Sequence, residues 1–532
     1  MNAPDAPTVR DITRGLMRDL GLTTVFGNPG TTEVPFLDQW PDDFRYVLGL
    51  QESVVTSMAD GYAQQTGNAV LVNLHSAGGL GHALGAVFGA YRNRTPMIVL
   101  AGQQVRRLLP DDPFLGSTEA AQFPKPYVKW SLEPARAADV PLALIRAYQM
   151  AMQTPRGPVF LSVPADDWDE PGEPVSAPAS IAPPAADPAV VDELAAALRD
   201  CERPALVAGP AVVEAGAVAE LVELAERTGA AVWIPPMVSR SSFPETHPQF
   251  AGFLQPSEPA VAAALAEHDL VVVLGAPAFT YHVHRGGAEE HPRPRGFLIS
   301  DDPDVLARSR HLRGVHAGLA TALHQLLPLV ERSGRAAAAG WVRPGLPELT
   351  SPPAAEHVIS LVHDLLPADA VVVTEAPTHK QAIQRHLPFR SPDQDFHAGA
   401  SGSLGYGISA LVGTALAAPS RPVLGIIGDG ASMYGIQALW TAAQEHASLT
   451  MLVLDNEEYA AVRVLGEVGS DGKMPGTALG GIDFVAVARG LGCAAHRVED
   501  LAELEQRLRE SLAEPGPTVL HVPVAASSRK LY

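Results

Sequence analysis

Cysteine is almost missing from this chain: Cys201 and Cys493 are the only two in 532 residues. Two are too few for a disulfide framework or a structural zinc site, and the scarcity fits a reducing compartment. A surplus of positive charge is missing as well. Lys and Arg number 38 against 59 Asp and Glu, a formal net charge of −21. That balance argues against a nucleic-acid partner, which needs a basic footprint. No basic cluster suits an anionic membrane. Long apolar runs are also absent: VVVLGAPAF, from Val271, is too short to span and contains Gly and Pro. The N-terminal MNAPDAPTVRDITRGLMRDL lacks the apolar core of a signal peptide. Its Val9, Ile12, Leu16 and Leu20 fall instead at helical spacing. A soluble, cytoplasmic protein is expected.

What is present is a globular composition, 46% hydrophobic and 18% charged, at a length that suggests three or four domains. Two Pro/Ala-rich stretches punctuate it, Asp169 to Pro188 and Arg332 to Ala355, and read as surface linkers. The expected division is 1–170, a linker at 171–188, 189–331, a linker at 332–355, and 356–532. The first and third blocks echo each other. One carries RTPMIVLAG and closes with GPVFLSVP; the other carries SLTMLVLDN and closes with GPTVLHVP. That points to an internal duplication, although buried strands also resemble one another by chance. In the middle block, RPALVAGPAVV, GAAVWIPP, DLVVVLGAPAF and GFLISDD alternate with helical stretches, which implies another parallel sheet. The fold expected is α/β: three doubly wound parallel-sheet domains, two related ones flanking a central Rossmann-like one.

The chemistry concentrates in GDGASMYGIQALWTAAQEHASLTMLVLDNEEY, from Gly428. Val423 to Ile427 reads as a buried strand ending in a tight turn. Tyr434 to His446 reads as a helix, with Ile436, Leu439, Trp440 and Ala443 on one face. LTMLVLDN is the next strand. In open α/β sheets ligands bind at the carboxyl ends of the strands. Asp429 and Asn456 bring hard oxygens there, of the kind that hold Mg²⁺ beside phosphate oxygens. The glycines let backbone N–H groups approach an anion. An ordinary strand-to-helix turn fits the same residues, so GDG alone does not decide. GNPGTTE lacks the GxGxxG spacing of a dinucleotide fingerprint, which excludes a nicotinamide dehydrogenase.

Two similar α/β blocks flanking a third, with GDG…DN in the last, resemble the thiamine-diphosphate enzymes of the pyruvate-decarboxylase type. VFGNPGTTEVPFLDQWPDDFRYVLGLQES, NLHSAGGLGHALGA, PYVKWSLEPA, GPVFLSVPADDWD and GAPAFTYH resemble the benzoylformate decarboxylase branch. The likeness runs from about Leu22 to the end. It implies thiamine diphosphate and Mg²⁺ as cofactors, an N-terminal pyrimidine-binding domain and a C-terminal diphosphate-binding domain. It also implies two chains building each site, hence at least a homodimer and by analogy a homotetramer. The substrate implied is a small aromatic or branched 2-keto acid, with no nucleic-acid or membrane partner.

By the same resemblance Glu52 meets the aminopyrimidine ring, and His75 and His282 are acid/base groups suited by an imidazole pKa near neutrality. His284 competes with His282 for that place. Asn28, Pro29 and Gly30 turn against the pyrimidine. Thr378, Gly402, Leu404, Asp429, Gly430, Ala431, Asn456, Glu458 and Tyr459 form the other cofactor set, with Leu404 as the apolar wedge between the rings. Asp429 and Asn456 bind the metal by side chain and Glu458 by its carbonyl. Thr31, His75, His282, His397, Val464 and Leu465 are assigned to the substrate pocket, with Phe396 nearby. Val462, Val464 and Leu465 also suit a simple core.

Four positions depart from the pattern. Thr31 stands for a serine, Asp455 for the first Asn of the usual pair, and aliphatic Val464 and Leu465 where aromatics are expected. Besides a decarboxylase, a carboligase or acyl-CoA lyase on the same fold remains open. A degenerate, non-catalytic site is disfavoured by the presence of Glu52, Asp429 and Asn456. Threonine keeps the hydroxyl but adds a methyl and stiffens χ1, so Thr31 is expected to bind the substrate carboxylate in a tighter or tilted pose. Thr31→Ala should therefore change steady-state KM or kcat; unaltered values of both would remove the role.

Overall fold

The computed structural model describes residues 6–177, 179–277, 279–284, 295–390, 394–467 and 474–526. They form three six-stranded, wholly parallel sheets. The first holds β1 (Thr24–Asn28), β2 (Arg45–Leu48), β3 (Val70–Leu74), β4 (Met97–Gln103), β5 (Ser131–Leu132) and β6 (Pro158–Pro164). The second holds β7 (Pro204–Ala208), β8 (Ala231–Ile234), β9 (Phe250–Phe253), β10 (Leu270–Leu274), β11 (Gly296–Ser300) and β12 (Arg313–His316). The third holds β13 (Val371–Glu375), β14 (Asp395–Ala398), β15 (Val423–Gly428), β16 (Leu449–Asp455), β17 (Ala494–Arg497) and β18 (Pro517–Pro523).

The first sheet runs β2-β1-β3-β4-β6-β5 and the third β14-β13-β15-β16-β18-β17. Counted within each sheet, that is one and the same order, as the echo between the two blocks led one to expect. The central sheet runs β12-β11-β10-β7-β8-β9, the mirror listing of the doubly wound dinucleotide-fold order. Every residue of β3, β4, β6, β7, β10, β11 and β15 is buried. Such strands read as continuous apolar runs because helices cover both faces of a parallel sheet.

No regular helix or strand occurs among the described residues of 171–187 or 330–354. The second stretch is nonetheless anchored: Trp341 packs edge-on to Phe250 and Phe253, and Arg343 lies over its ring. The helix expected at Tyr434–His446 is shorter, Ala438–Gln444, preceded by a separate turn of helix at Asp429–Ser432. Between them the chain presses on the helix Tyr406–Ala417: a Cβ on Gly435 would lie 2.8 Å from Ile408 and Ser409 atoms, and that approach breaks the run.

The first and third domains share one apolar core. Its axis is a pair of helices. Glu52–Thr66 is N-capped by the Gln51 side chain, which accepts from the Val54 N–H at 3.1 Å, and it ends at Gly67 with φ +70°. Tyr406–Ala417 is buried along its length from Tyr406 to Leu416. Each carries a glycine where the other's backbone arrives. A Cβ on Gly413 would stand 1.8 Å from the Met58 carbonyl oxygen, and one on Gly61 2.3 Å from that of Ala410. Backbone cannot yield as a flexible side chain does, so Gly413→Ala should cost at least about 1–3 kcal/mol. Urea denaturation of the variant would check this; an unchanged midpoint would contradict the packing.

Candidate active site

A cavity of about 430 Å³ opens at the carboxyl ends of β13, β15 and β16. Its lining includes Thr378, Gly402, Leu404, Asp429, Gly430, Ala431, Asn456, Glu458, Tyr459 and Leu465 from the third domain, and His282 from the central one. The structure thus gathers eleven of the sequence-predicted residues around one space. The βα turns that carry them are tight. A Cβ on Gly430 would lie 2.3 Å from the Tyr459 ring, and Gly402 and Gly405 have φ +73° and +94°, which glycine alone adopts freely.

The polar end of the cavity is under-satisfied. Asp429 Oδ1 accepts from the Gly430 N–H at 2.7 Å, but Asp429 Oδ2 and Asn456 Nδ2 are buried without a hydrogen-bond partner. Burial, together with the neighbouring Asp455, pushes the Asp429 carboxyl up to about 7. Burial also acts on Asp455, but the His521 ring at 2.7 Å and the Glu457 N–H hold it below the ordinary carboxylate range. Orphaned buried groups of this kind call for a ligand. A carboxylate and an amide oxygen at one strand edge suit a hard divalent cation that draws its remaining oxygens from a bound phosphate. The protein does not supply the whole shell: among the described residues no three His, Cys, Asp or Glu side chains cluster to hold a metal. The Glu458 carboxylate is turned away and held by Arg463 at 2.9 Å.

A second group lies at the carboxyl edge of the first sheet. Asn28 ends β1 and Pro29, Gly30 and Thr31 follow it, Glu52 follows β2 and His75 follows β3. Asn28 Nδ2 donates to the Gly49 carbonyl at 2.7 Å. A Cβ on Gly30 would lie 2.2 Å from the His75 ring, so only glycine fits there. Glu33 organises this edge. It is 1% exposed and accepts from the Gly30 and Gly102 N–H groups, each at 2.8 Å. It also meets His75 Nδ1 at 2.8 Å, which orients the ring. Glu52 Oε2 stands 3.2 Å from His82 Nδ1. None of the described residues lining the cavity precedes Ile234, so one chain keeps these two groups apart.

Two residues assigned to the substrate pocket lie elsewhere. His397 is fully buried between Gln64 and Gln65 and beside Asp395. Burial and the Arg240 guanidinium hold its pKa well below the usual value. The alternation of a strand sends its neighbour Phe396 to the cavity instead. Val464 is 7% exposed, while Ala461, Val462 and Leu465 line the cavity. On the helix Ala460–Glu467 these three share a face that Val464 does not.

Sequence reasoning missed Glu33, Glu375, His379 and Lys380. The last three lie in TEAPTHK, Thr374–Lys380, which spans the end of β13, where ionisable residues at a strand's carboxyl edge were the available signal. Glu375 accepts from the Gly405 and Gly407 N–H groups at 3.0 and 3.2 Å, so it grips the turn that carries Leu404. Burial pushes it up to about 8.

Three family profiles match the chain: the thiamine pyrophosphate enzyme N-terminal TPP binding domain over 7–122, the central domain over 191–326 and the C-terminal TPP binding domain over 376–522. The chain belongs to the thiamine pyrophosphate enzymes. Among its relatives, the benzoylformate decarboxylase of Pseudomonas aeruginosa is 40% identical over 97% of this chain and 98% of that protein. A putative acetolactate synthase large subunit of Mycobacterium tuberculosis is 32% identical over 95% of this chain and 97% of that one. The structure of a Rhodococcus jostii thiamine diphosphate-dependent 4-hydroxybenzoylformate decarboxylase superposes with TM-score 0.95 at 38% identity, covering 98% of this chain and 100% of that one. A putative thiamin diphosphate-dependent enzyme of Mycobacterium smegmatis gives TM-score 0.93 at 41% identity, with the same coverage.

Glu375 yields a pH test. Its folded pKa of about 8 lies above the ordinary 4.5, so between those values the folded state binds the extra proton. Its contribution therefore weakens as pH rises through that window, by at most about 1.4 kcal/mol per unit. Glu375→Gln should flatten the stability profile between about pH 5 and 8, measured by urea denaturation. An unaltered slope would show that Glu375 does not titrate there.

Proposed function

We propose that this chain is a thiamine-diphosphate- and Mg²⁺-dependent decarboxylase that converts an aromatic or branched 2-keto acid to CO₂ and the aldehyde. The observation that carries this reading is the buried, unpartnered pair Asp429 Oδ2 and Asn456 Nδ2, in a member of this family 40% identical to a benzoylformate decarboxylase. Asn456 would offer the metal its amide oxygen, which also accepts from the Glu458 N–H at 3.4 Å. Asp429, Asn456 and the Glu458 carbonyl would hold Mg²⁺. The backbone of Gly430 and Ala431, with Thr378 and Gly402, would hold the diphosphate, and Leu404 would press between the rings. Bound thiamine diphosphate supplies an electron sink for the pair left when CO₂ departs.

The residues of the first domain complete the site. Glu52 would hydrogen-bond the pyrimidine, against Asn28, Pro29 and Gly30. Thr31 would donate its hydroxyl to the substrate carboxylate. His75, with Nδ1 fixed by Glu33, would present Nε2 for proton transfer, and His282 would serve from the central domain. Because one chain separates the two groups, the reading includes a second chain facing this one: a homodimer at least, and a homotetramer by analogy. Among the described residues no helix is long and apolar enough to cross a membrane. Cys201 and Cys493 are free, and cytoplasmic residence is part of the reading.

A carboligase is the second reading, favoured by the likeness to acetolactate synthase large subunits, 32% identical in Mycobacterium tuberculosis and 26% in Escherichia coli. Aldehyde release from benzoylformate, pyruvate, phenylpyruvate and 3-methyl-2-oxobutanoate, with and without both cofactors, separates the two. Cofactor-dependent aldehyde supports decarboxylation. Acyloin without free aldehyde supports carboligation and overturns the first reading. For the shared site, Glu52→Gln and Asp429→Asn should each be inactive alone. Subunit exchange between them should restore about a quarter of wild-type activity, since half the dimers then carry one intact site of two. No recovery after verified exchange would place each site within one chain.

A further inference from the structure

The cavity extends well beyond the strand ends. Toward the central domain its wall mixes apolar Phe253, Ile383 and Leu387 with Arg240, Ser241 and Glu245. Among the described residues, one charge in this region has no counter-ion. Lys380 opens the helix Lys380–His386 and lines the cavity, and its ammonium donates to the Met237 sulfur at 3.5 Å. A small crevice beside the cavity is bordered by Lys380, Met237, Leu254 and Pro256, which places the amine at the central-domain end. The carboxylates of this region are engaged elsewhere. Glu245 meets Arg343 at 3.1 Å and Ser241 at 3.2 Å, and Glu375 accepts from two backbone N–H groups. Burial lowers the Lys380 pKa, to about 8, and no carboxylate among the described residues raises it. A desolvated ammonium without an anion is costly to keep, and a ligand can supply what the chain does not.

We propose that the cavity recognises a 2-keto acid whose arm ends in a second carboxylate, with the Lys380 ammonium as counter-ion to that remote group. The inference rests on the decarboxylase reading and replaces its aromatic or branched arm with one that ends in an anion. A largely apolar cavity with a few placed polar and charged groups is the usual construction of a selective small-molecule site. The remote carboxylate is not consumed: the bond that breaks joins the keto carbon to its own carboxylate, a proton replaces the CO₂, and no oxidant is needed.

The test uses the enzyme loaded with thiamine diphosphate and Mg²⁺. The ratio of kcat/KM for 2-oxoadipate to that for 2-oxohexanoate is measured in the wild type, Lys380→Met and Lys380→Arg. The wild type should favour the diacid, and Lys380→Met should lower the ratio roughly 100-fold. Lys380→Arg, which keeps the cation, should retain most of it. A wild-type preference for 2-oxohexanoate, with a ratio untouched by Lys380→Met, overturns the proposal. So does a loss of thiamine diphosphate affinity in Lys380→Met with the ratio unmoved, which would assign the lysine to the cofactor's phosphate. Calorimetric titration with adipate and hexanoate separates this site from the reaction. Adipate binding that Lys380→Met abolishes sustains the anion site even if no 2-keto acid loses CO₂, and only the decarboxylase reading then falls. Adipate binding indifferent to the substitution, or none, overturns the anion site whatever the turnover.

Discussion

Everything at the candidate site hangs on a backbone contact between two helices. Glu52–Thr66 and Tyr406–Ala417 meet at Gly61 and Gly413 with no room for a methyl group. Glu52 heads the first helix and the Leu404 turn feeds the second. One close approach therefore fixes where both sheets present their working edges. Side-chain packing alone would tolerate shifts of some tenths of an ångström, and a backbone-to-backbone contact tolerates fewer. Around it lies a single apolar core drawn from both domains, so neither edge moves without the other.

Polar junctions lock the third domain to its neighbours. Asp395 is held by Arg421 at 2.6 Å and by Arg240 of the central domain at 3.3 Å, and it accepts from Gln65 of the first. His397 stays neutral beside it because burial and the nearby guanidinium both oppose its protonation. Asp395 and His397 are structural although they flank cavity-lining Phe396, and Arg240, which lines the cavity, is held here by Asp395. The contrast with Asp429 and Lys380 is one of satisfaction: the junction residues find their partners within the fold, while the cavity residues keep valences that a ligand can meet.

Much was legible before the fold was known. The continuous apolar runs announced buried parallel strands, and the repeated GPVFLSVP and GPTVLHVP announced two domains of one topology. The glycine turns with Asp429 and Asn456 marked a strand edge with oxygen ligands. Harder to read were residues whose role depends on direction. His397 and Phe396 are adjacent in sequence, yet strand alternation sends one to a domain junction and the other to the cavity. Val464 and Leu465 divide in the same way on a helix. A one-residue slip in phase reverses such assignments, and the sequence alone did not fix the phase.

The sequence by itself determined the class of fold, the family and the chemical types at the strand edges, because periodicity and turn glycines are local properties of the chain. The tertiary structure decided which of those groups share a space. It placed Glu33 under His75, Glu375 under the Leu404 turn, and Lys380 beside Met237 with no anion among the described residues. It also kept the Glu52 edge out of the cavity that holds Asp429. None of these relations has a sequence period, since each joins residues brought together by the packing of separate sheets.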